Sequence, residues 1–304
     1  MNQGWVYRNQ VRQTEAGLTL LEYYSQYRHS SYQEWRERIL LGQILINNQP
    51  ATPDTILKKG QSLTYHRQPW HEPDVPLSFA ILYEDSDLLI VDKPSGLPVL
   101  PGGGFLEHTL LKQLQQQYPN DTPYPIHRLG RGTSGLMLLA KTSQARASLS
   151  QQMRDRQISK TYRALVGKSD LPENLIITQP IGKIPHPVLG YIYGATPDGL
   201  SAYSECQVLK RTSQTTLLAV KILTGRPHQI RIHLATVGYP LLGDPLYDIG
   251  GIPKMTKSEN LPVPGDIGYS LHAHHLFFLH PSTGKVMSIY SSPPNELQEE
   301  TQIS

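Results

Sequence analysis

Apolar residues along this chain gather in short runs bounded by glycine, proline and charge, the pattern of buried strands more than of long helices. Leu88–Val91 and Leu136–Ala140 are continuous apolar runs of strand length. Lys160–Val166, Gln207–Leu209, Thr216–Leu223 and Leu271–Phe278 add further strands, and a closing strand follows the turn His280–Gly284, ending near Tyr290. Helical spacing is confined to a few segments. Leu106, Leu110, Leu111 and Leu114 mark a helix over about Leu106–Gln117, Ser143 caps another running to about Arg156, and His228–Val237 carries Ile230, Leu234 and Val237 on one face. Strands outnumber helices and come in pairs. The fold class is α+β, with a mixed, mainly antiparallel central sheet and flanking helices.

The first part of the chain reads as a separate small α/β unit. Residues 1–14 lack a clear period and suggest an extended arm. Leu18, Leu20, Leu21 and Tyr24 suit a short helix, and Ser31 with Glu34 three residues later forms the capping box of a second, which Gly42 ends. Gln43–Asn47 then runs as a strand into an Asn47-Asn48 turn. Pro69–Pro76 is a proline-rich linker, so the expected division is 1–68, a linker over 69–79, and a larger domain over 80–304.

Charge changes this picture more by position than by amount. The 28 basic and 25 acidic residues leave a formal +3. Between Pro125 and Leu165, however, Arg128, Arg131, Lys141, Arg146, Arg154, Arg156, Lys160 and Arg163 face only Asp155, a local excess of +7. Clustering of this kind points to a phosphate backbone as partner. Cys206 is the only cysteine, so an internal disulfide is impossible and a reducing compartment is expected. No apolar run reaches the length of a membrane span and the N-terminus lacks a signal-peptide core; a cytoplasmic chain without membrane contact is expected. Residues 249–267 read as a flexible loop, and the acidic tail from Asn295 carries no motif.

The candidate chemistry centres on Pro125–Lys141, PIHRLGRGTSGLMLLAK, a cationic, glycine-rich turn feeding a core strand. Its glycines also fit G-x-G-x-x-G, but a dinucleotide site needs a strand before them and a helix after, and here the strand follows. His272, His274, His275 and His280 do not match a closed zinc set, so satisfied strand histidines are expected. Two more blocks complete the pattern: KTYRALVG at 160–167, and TGRPHQIRIHL at 224–234 followed by GYPLLGDPLY at 238–247. In this order, with Asp92–Pro98 (DKPSGLP) ahead of them, these motifs resemble the RluA-like pseudouridine synthases over roughly residues 80–292. The helices, the Arg38–Asn48 segment and Lys58-Lys59-Gly60 resemble the α-L RNA-binding motif that often precedes that domain.

The resemblance implies the pseudouridine synthase fold and isomerisation of uridine in ribosomal or transfer RNA, by a monomer with no metal or organic cofactor. In the family an Asp carboxylate does the covalent or charge-stabilising work, an Arg pairs with it, and a Tyr packs on the flipped base and assists proton removal. Tyr162 falls on the tyrosine and Arg226 on the arginine. Lys93, His127, Arg128, Arg131, Thr133 and Ser134 are implied to meet RNA, as are Arg36 and Arg38 of the first unit, while Gln229 and Arg231 are expected to be structural or RNA-facing at the start of their helix. The family motif runs H-R-L-D, and the position of its Asp is Gly130 here, which has no nucleophile, base or proton to offer. Asp121, Asp155 and Asp244 do not obviously replace it. Two readings stay open: an isomerase that recruits another group, and a non-catalytic RNA-binding or RNA-folding protein on the same fold.

Overall fold

The computed structural model describes residues 1–26, 30–167, 170–186, 190–254 and 265–299. The stretch 255–264, most of the expected flexible loop, lies outside the described residues, as does the end of the acidic tail. The chain divides into two compact units, residues 1–72 with 185–192 and residues 73–184 with 193–304.

In the first unit, Trp5–Gln10 (β1), Ile44–Ile46 (β2), Gln49–Pro50 (β3) and Ser62–Arg67 (β4) form a sheet in the order β1-β4-β2-β3. Leu20–Ser25 (α1) and Tyr32–Leu40 (α2) complete the unit. The capping box at Ser31 forms: the Glu34 N–H donates to Ser31 Oγ at 3.2 Å and the Ser31 N–H to the Glu34 carboxylate at 2.6 Å. Asn47 and Asn48 both take positive φ, which closes the two-residue hairpin between β2 and β3. The N-terminal arm is a correction. It is a full strand, paired antiparallel with β4 from Trp5↔Arg67 to Gln10↔Ser62. It shows no alternation because it is an edge strand with nearly every side chain exposed.

The second unit is built on one ten-stranded sheet. Its strands are Ala80–Glu84 (β5), Leu88–Lys93 (β6), Tyr124–Pro125 (β7), Ser134–Ala140 (β8), Ser159–Val166 (β9), Asn174–Ile177 (β10), Ser204–Arg211 (β11), Thr216–Ile222 (β12), Leu271–Leu279 (β13) and Val286–Tyr290 (β14). The order is β10-β11-β12-β9-β13-β8-β6-β5, with β14 beside β13 and β7 beside β8. Only β13 and β8 pair in parallel, through His272↔Ser134 and Ala273↔Gly135. Every residue of β8 is buried, which is why its sequence reads as a continuous apolar run without alternation. The helices are Leu110–Gln117 (α3), Ser143–Arg154 (α4) and Gln229–Thr236 (α5). Two helix starts differ from expectation by their caps. Thr109, not Leu106, opens α3, and Thr142 caps α4 by accepting the Ala145 N–H at 3.1 Å. No described helix is long and apolar enough to cross a membrane.

Candidate active site

Gly135 fixes the approach of the glycine-rich turn to the sheet. Its φ is +102°, and a Cβ there would run into the backbone of Ala273, so only glycine lets β8 lie beside β13 at this point. The turn before it, Arg128–Thr133, is thereby held over the end of the sheet. There it meets Tyr162 on β9, Ile222 at the end of β12 and the segment leading into α5. Arg128, Gly130, Thr133, Tyr162, Arg226, His228, Gln229, Arg231 and Tyr269 line one cavity of about 100 Å³. A larger cleft of about 490 Å³ shares Arg128, Tyr162, Ile222 and Arg226 with it and adds Arg154, Arg156 and Lys160. Five cationic side chains, Arg128, Arg154, Arg156, Lys160 and Arg226, therefore surround the entrance to the cavity that holds Tyr162.

Burial sets the protonation of the groups inside. The Tyr162 phenol is 7 % exposed and is pushed above its ordinary range by desolvation, so it stays protonated at neutral pH. Lys160 is driven down to about 8 by the same cause. His228 sits in a left-handed conformation at φ +56° immediately before α5. Its Nδ1 lies 2.7 Å from Tyr247 Oη, whose own proton goes to the Tyr193 carbonyl, so Nδ1–H is the donor. Burial first, then the charge of Arg231, hold His228 down at about 3.

The two arginines have different surroundings. Arg226 stands at the mouth and donates from Nε to the Ser201 carbonyl at 3.0 Å. Arg231 is 2 % exposed and pairs with Asp244 through two bonds of 2.7 Å, while its Nη1 is buried with no hydrogen-bond partner among the described residues. Its guanidinium lies 4.2 Å from the ring centre of Tyr269. Arg231 is thus held structurally by Asp244, as the buried cation of an inner cavity that Arg226 also lines.

Several other expected RNA contacts are corrected by burial. Lys93 is fully buried, and its ammonium donates to the carbonyls of Pro94, Leu97 and Arg131 at 2.8, 2.8 and 3.2 Å; it braces the loop. His127 Nε2 accepts the Leu138 N–H at 3.1 Å and burial drives its pKa down to about 3, so it is a neutral strut. Ser134 is 2.9 Å from His272 Nδ1, inside the sheet. Gln229 spends both ends of its amide, accepting from Thr224 Oγ1 and the Arg226 N–H and donating to Tyr203 and Ser204. Arg131 keeps a half-buried position, donating from Nε to the Gly96 carbonyl at 3.0 Å with its guanidinium over Phe105. Arg128 is exposed. In the first unit Arg36 is exposed, while Arg38 lies 4.7 Å over the Trp35 ring and bonds Ser30, lining an aromatic pocket with Tyr7, Tyr24, Tyr65 and Arg67.

None of the described residues lining the inner cavity is acidic. Asp121 and Asp155 are exposed, and Asp244 is committed to Arg231 and to the backbone N–H groups of Leu246 and Tyr247. The residue that sequence reasoning missed is Tyr269. A Cβ on Gly130 would stand 2.8 Å from Tyr269 Oη, and one on Gly132 would stand 2.9 Å from its ring. The hydroxyl is 3.3 Å from Thr133 Oγ1. Tyr269 lies between a loop and β13, outside every motif, and its only trace in the sequence is the pair of missing side chains at Gly130 and Gly132.

A family model described as RNA pseudouridylate synthase matches residues 87–236. The chain is 50% identical to an uncharacterized RNA pseudouridine synthase of Synechocystis sp., covering 91% of this chain and 95% of that protein. It is 33% identical to ribosomal large subunit pseudouridine synthase D of Buchnera aphidicola subsp. Schizaphis graminum, covering 92% and 90%. Among solved structures, human RNA pseudouridylate synthase domain containing 1 superposes with a TM-score of 0.56 at 23% identity over 74% of this chain and 87% of that one, a likeness of fold.

Proposed function

Since the chain belongs to the RluA-like RNA pseudouridylate synthases, we propose that it isomerises uridine to pseudouridine within ribosomal or transfer RNA. One observation carries this reading beyond membership. The basic cleft bearing Arg128, Arg154, Arg156, Lys160 and Arg226 opens onto a smaller cavity that contains Tyr162. Arginines and lysine at the mouth suit the phosphates of an RNA strand, and their placement is independent of base identity. The target base must leave its stack to reach the inner cavity, as in other enzymes that work on a base. Tyr162, neutral and desolvated, offers an aromatic face to the extruded ring. The first unit adds a second basic, aromatic surface at Arg38 and Arg67, in keeping with an RNA-binding role.

Moving the glycosidic bond from N1 to C5 of the base expels the C5 hydrogen, so the reaction is read by release of tritium from RNA labelled at C5 of uridine. Incubation with ribosomal and transfer RNA is expected to release tritium, and Arg154→Gln combined with Arg156→Gln is expected to weaken RNA binding and lower the salt slope by about 2. No release from either RNA, with binding intact, would leave the non-catalytic reading in its place.

A further inference from the structure

Gly130 and Gly132 are the two residues whose side chains would overlap Tyr269. Their absence makes a seat: the ring edge and hydroxyl fit where the two side chains would stand, the ring centre lies 4.2 Å from the Arg231 guanidinium, and the hydroxyl is 3.3 Å from Thr133 Oγ1. Tyr269 is 5 % exposed and lines the same cavity as Tyr162. Its oxygen stands 2.8 Å from where the Cβ of a side chain at position 130 would be. Among the described lining residues, Tyr162, Tyr269, Thr133 and His228 are the groups with an exchangeable proton that are not permanently charged and not an amide. Tyr162 sits at the junction with the basic cleft, Thr133 carries an aliphatic hydroxyl that is a much weaker acid than a phenol, and His228 donates its Nδ1 proton to Tyr247.

We infer that the Tyr269 hydroxyl is the catalytic group of this site, standing where the chain has no carboxylate and acting on C1′ of the target ribose. The inference rests on the isomerase reading above. In the first half-reaction the phenolic oxygen bonds to C1′ as the C1′–N1 bond breaks. The bonding pair leaves with the base, and the phenolic proton passes to a carbonyl oxygen of that base. The Arg231 guanidinium, 4.2 Å from the centre of the Tyr269 ring, places a positive charge beside this step. Once the base has turned, its C5 bonds to C1′, the phenolate leaves, and the C5 proton returns to the phenolate. One C–N bond is exchanged for one C–C bond, the proton lost at C5 balances the one gained on the base, and no co-reactant is consumed. A tyrosine nucleophile is an established solution to displacement at an anomeric carbon in some glycosidases.

Four proteins test this: the native chain, Tyr269→Phe, Gly130→Asp, and the double variant Gly130→Asp/Tyr269→Ala. Each is measured for tritium release, RNA affinity and melting temperature. Tyr269→Phe keeps the ring, its seat and its contact with Arg231, so RNA affinity and melting temperature should stay at the native values while turnover falls at least ~100-fold. Gly130→Asp alone should be inactive, because Tyr269 Oη is 2.8 Å from where its Cβ would stand. The double variant, with room for the carboxylate, should recover turnover. Native turnover in Tyr269→Phe would overturn the assignment and leave the isomerase reading intact. A silent native chain with an active double variant would also overturn it, making Tyr269 a plug. Silence of all four, with RNA still bound, would remove the isomerase reading and this inference together.

Discussion

At the scale of single residues, the site is organised by which charges are spent and which are left over. Arg231 and Asp244 are 2 % and 3 % exposed and joined by two bonds of 2.7 Å, so neither is stable in the fold without the other. Asp244 also holds the Leu246 and Tyr247 N–H groups. Asp244→Ala is therefore expected to cost ~3–5 kcal/mol of stability by leaving a buried guanidinium unpaired. Equilibrium unfolding in urea checks this, and Arg226→Ala, at the cavity mouth, should leave the unfolding midpoint nearly unmoved. The motif that contains both arginines was legible in the sequence, but their roles were not. One arginine in TGRPHQIR faces outward and the other inward because α5 begins between them, and that turn is set by the left-handed His228. Lys93 misled for a similar reason: a lysine in a Pro-Gly loop reads as exposed, yet three carbonyls of two different loops converge on its ammonium.

At the scale of elements, the sheet places the glycine-rich turn, and one residue decides whether it can. The two parallel pairs between β8 and β13 are the point where distant parts of the larger unit are brought side by side. Gly135 lies in one of these pairs with φ +102° and no space for a Cβ against Ala273. Gly135→Ala should therefore cost at least ~2 kcal/mol, through its backbone conformation and through separation of the strands. Hydrogen exchange should show faster opening at Leu136 and Ala273, and Tyr162 on the neighbouring β9 should report the loosening by its fluorescence. Unchanged exchange at both positions would mean that the sheet accommodates a methyl group there. Runs such as Leu88–Val91 and Leu136–Ala140 announced their strands because both faces are covered. The first strand gave no such sign, since an exposed edge strand needs no alternation, and Tyr269 gave none because a residue between elements has no period to betray it.

At the scale of the whole molecule, the excess of positive charge foreseen in the sequence is carried by arginine and lysine, while the half-buried histidines beside it are kept neutral. His127 faces Lys160, and His228 faces Arg231, Arg128 and Asp244; burial is the larger influence on each, and both are held at about 3. In the unfolded chain a histidine titrates near ~6.5. Between those values the unfolded state binds more protons than the folded one, so stability rises with pH across this window and is lost as pH falls from ~6.5 toward 3. Each histidine contributes a slope of up to ~1.4 kcal/mol per pH unit. Asp85 extends the loss at the acid end: with a folded value of about 2, set against burial by the N–H groups of Leu88 and Asp87 and by His280, its stabilisation is present above its unfolded value near ~3.9 and disappears as pH falls through 2. Urea midpoints measured from pH 8 to pH 4 should fall throughout: Lys160 and Lys93, held at about 8 and about 7, contribute at the alkaline end, and the histidines add to the decline below about pH 7. His127→Gln retains a side-chain oxygen for the Leu138 N–H but cannot titrate, so its decline should be shallower by about one histidine's share. A parallel decline in the two proteins would mean that His127 takes up its proton in the folded state, and that its ring leaves Leu138 to do so. RNA binding draws on arginines that stay charged throughout this range and on Lys160, which is charged below about pH 8, so the affinity of the still-folded protein should vary little with pH below about pH 7, where its stability varies most.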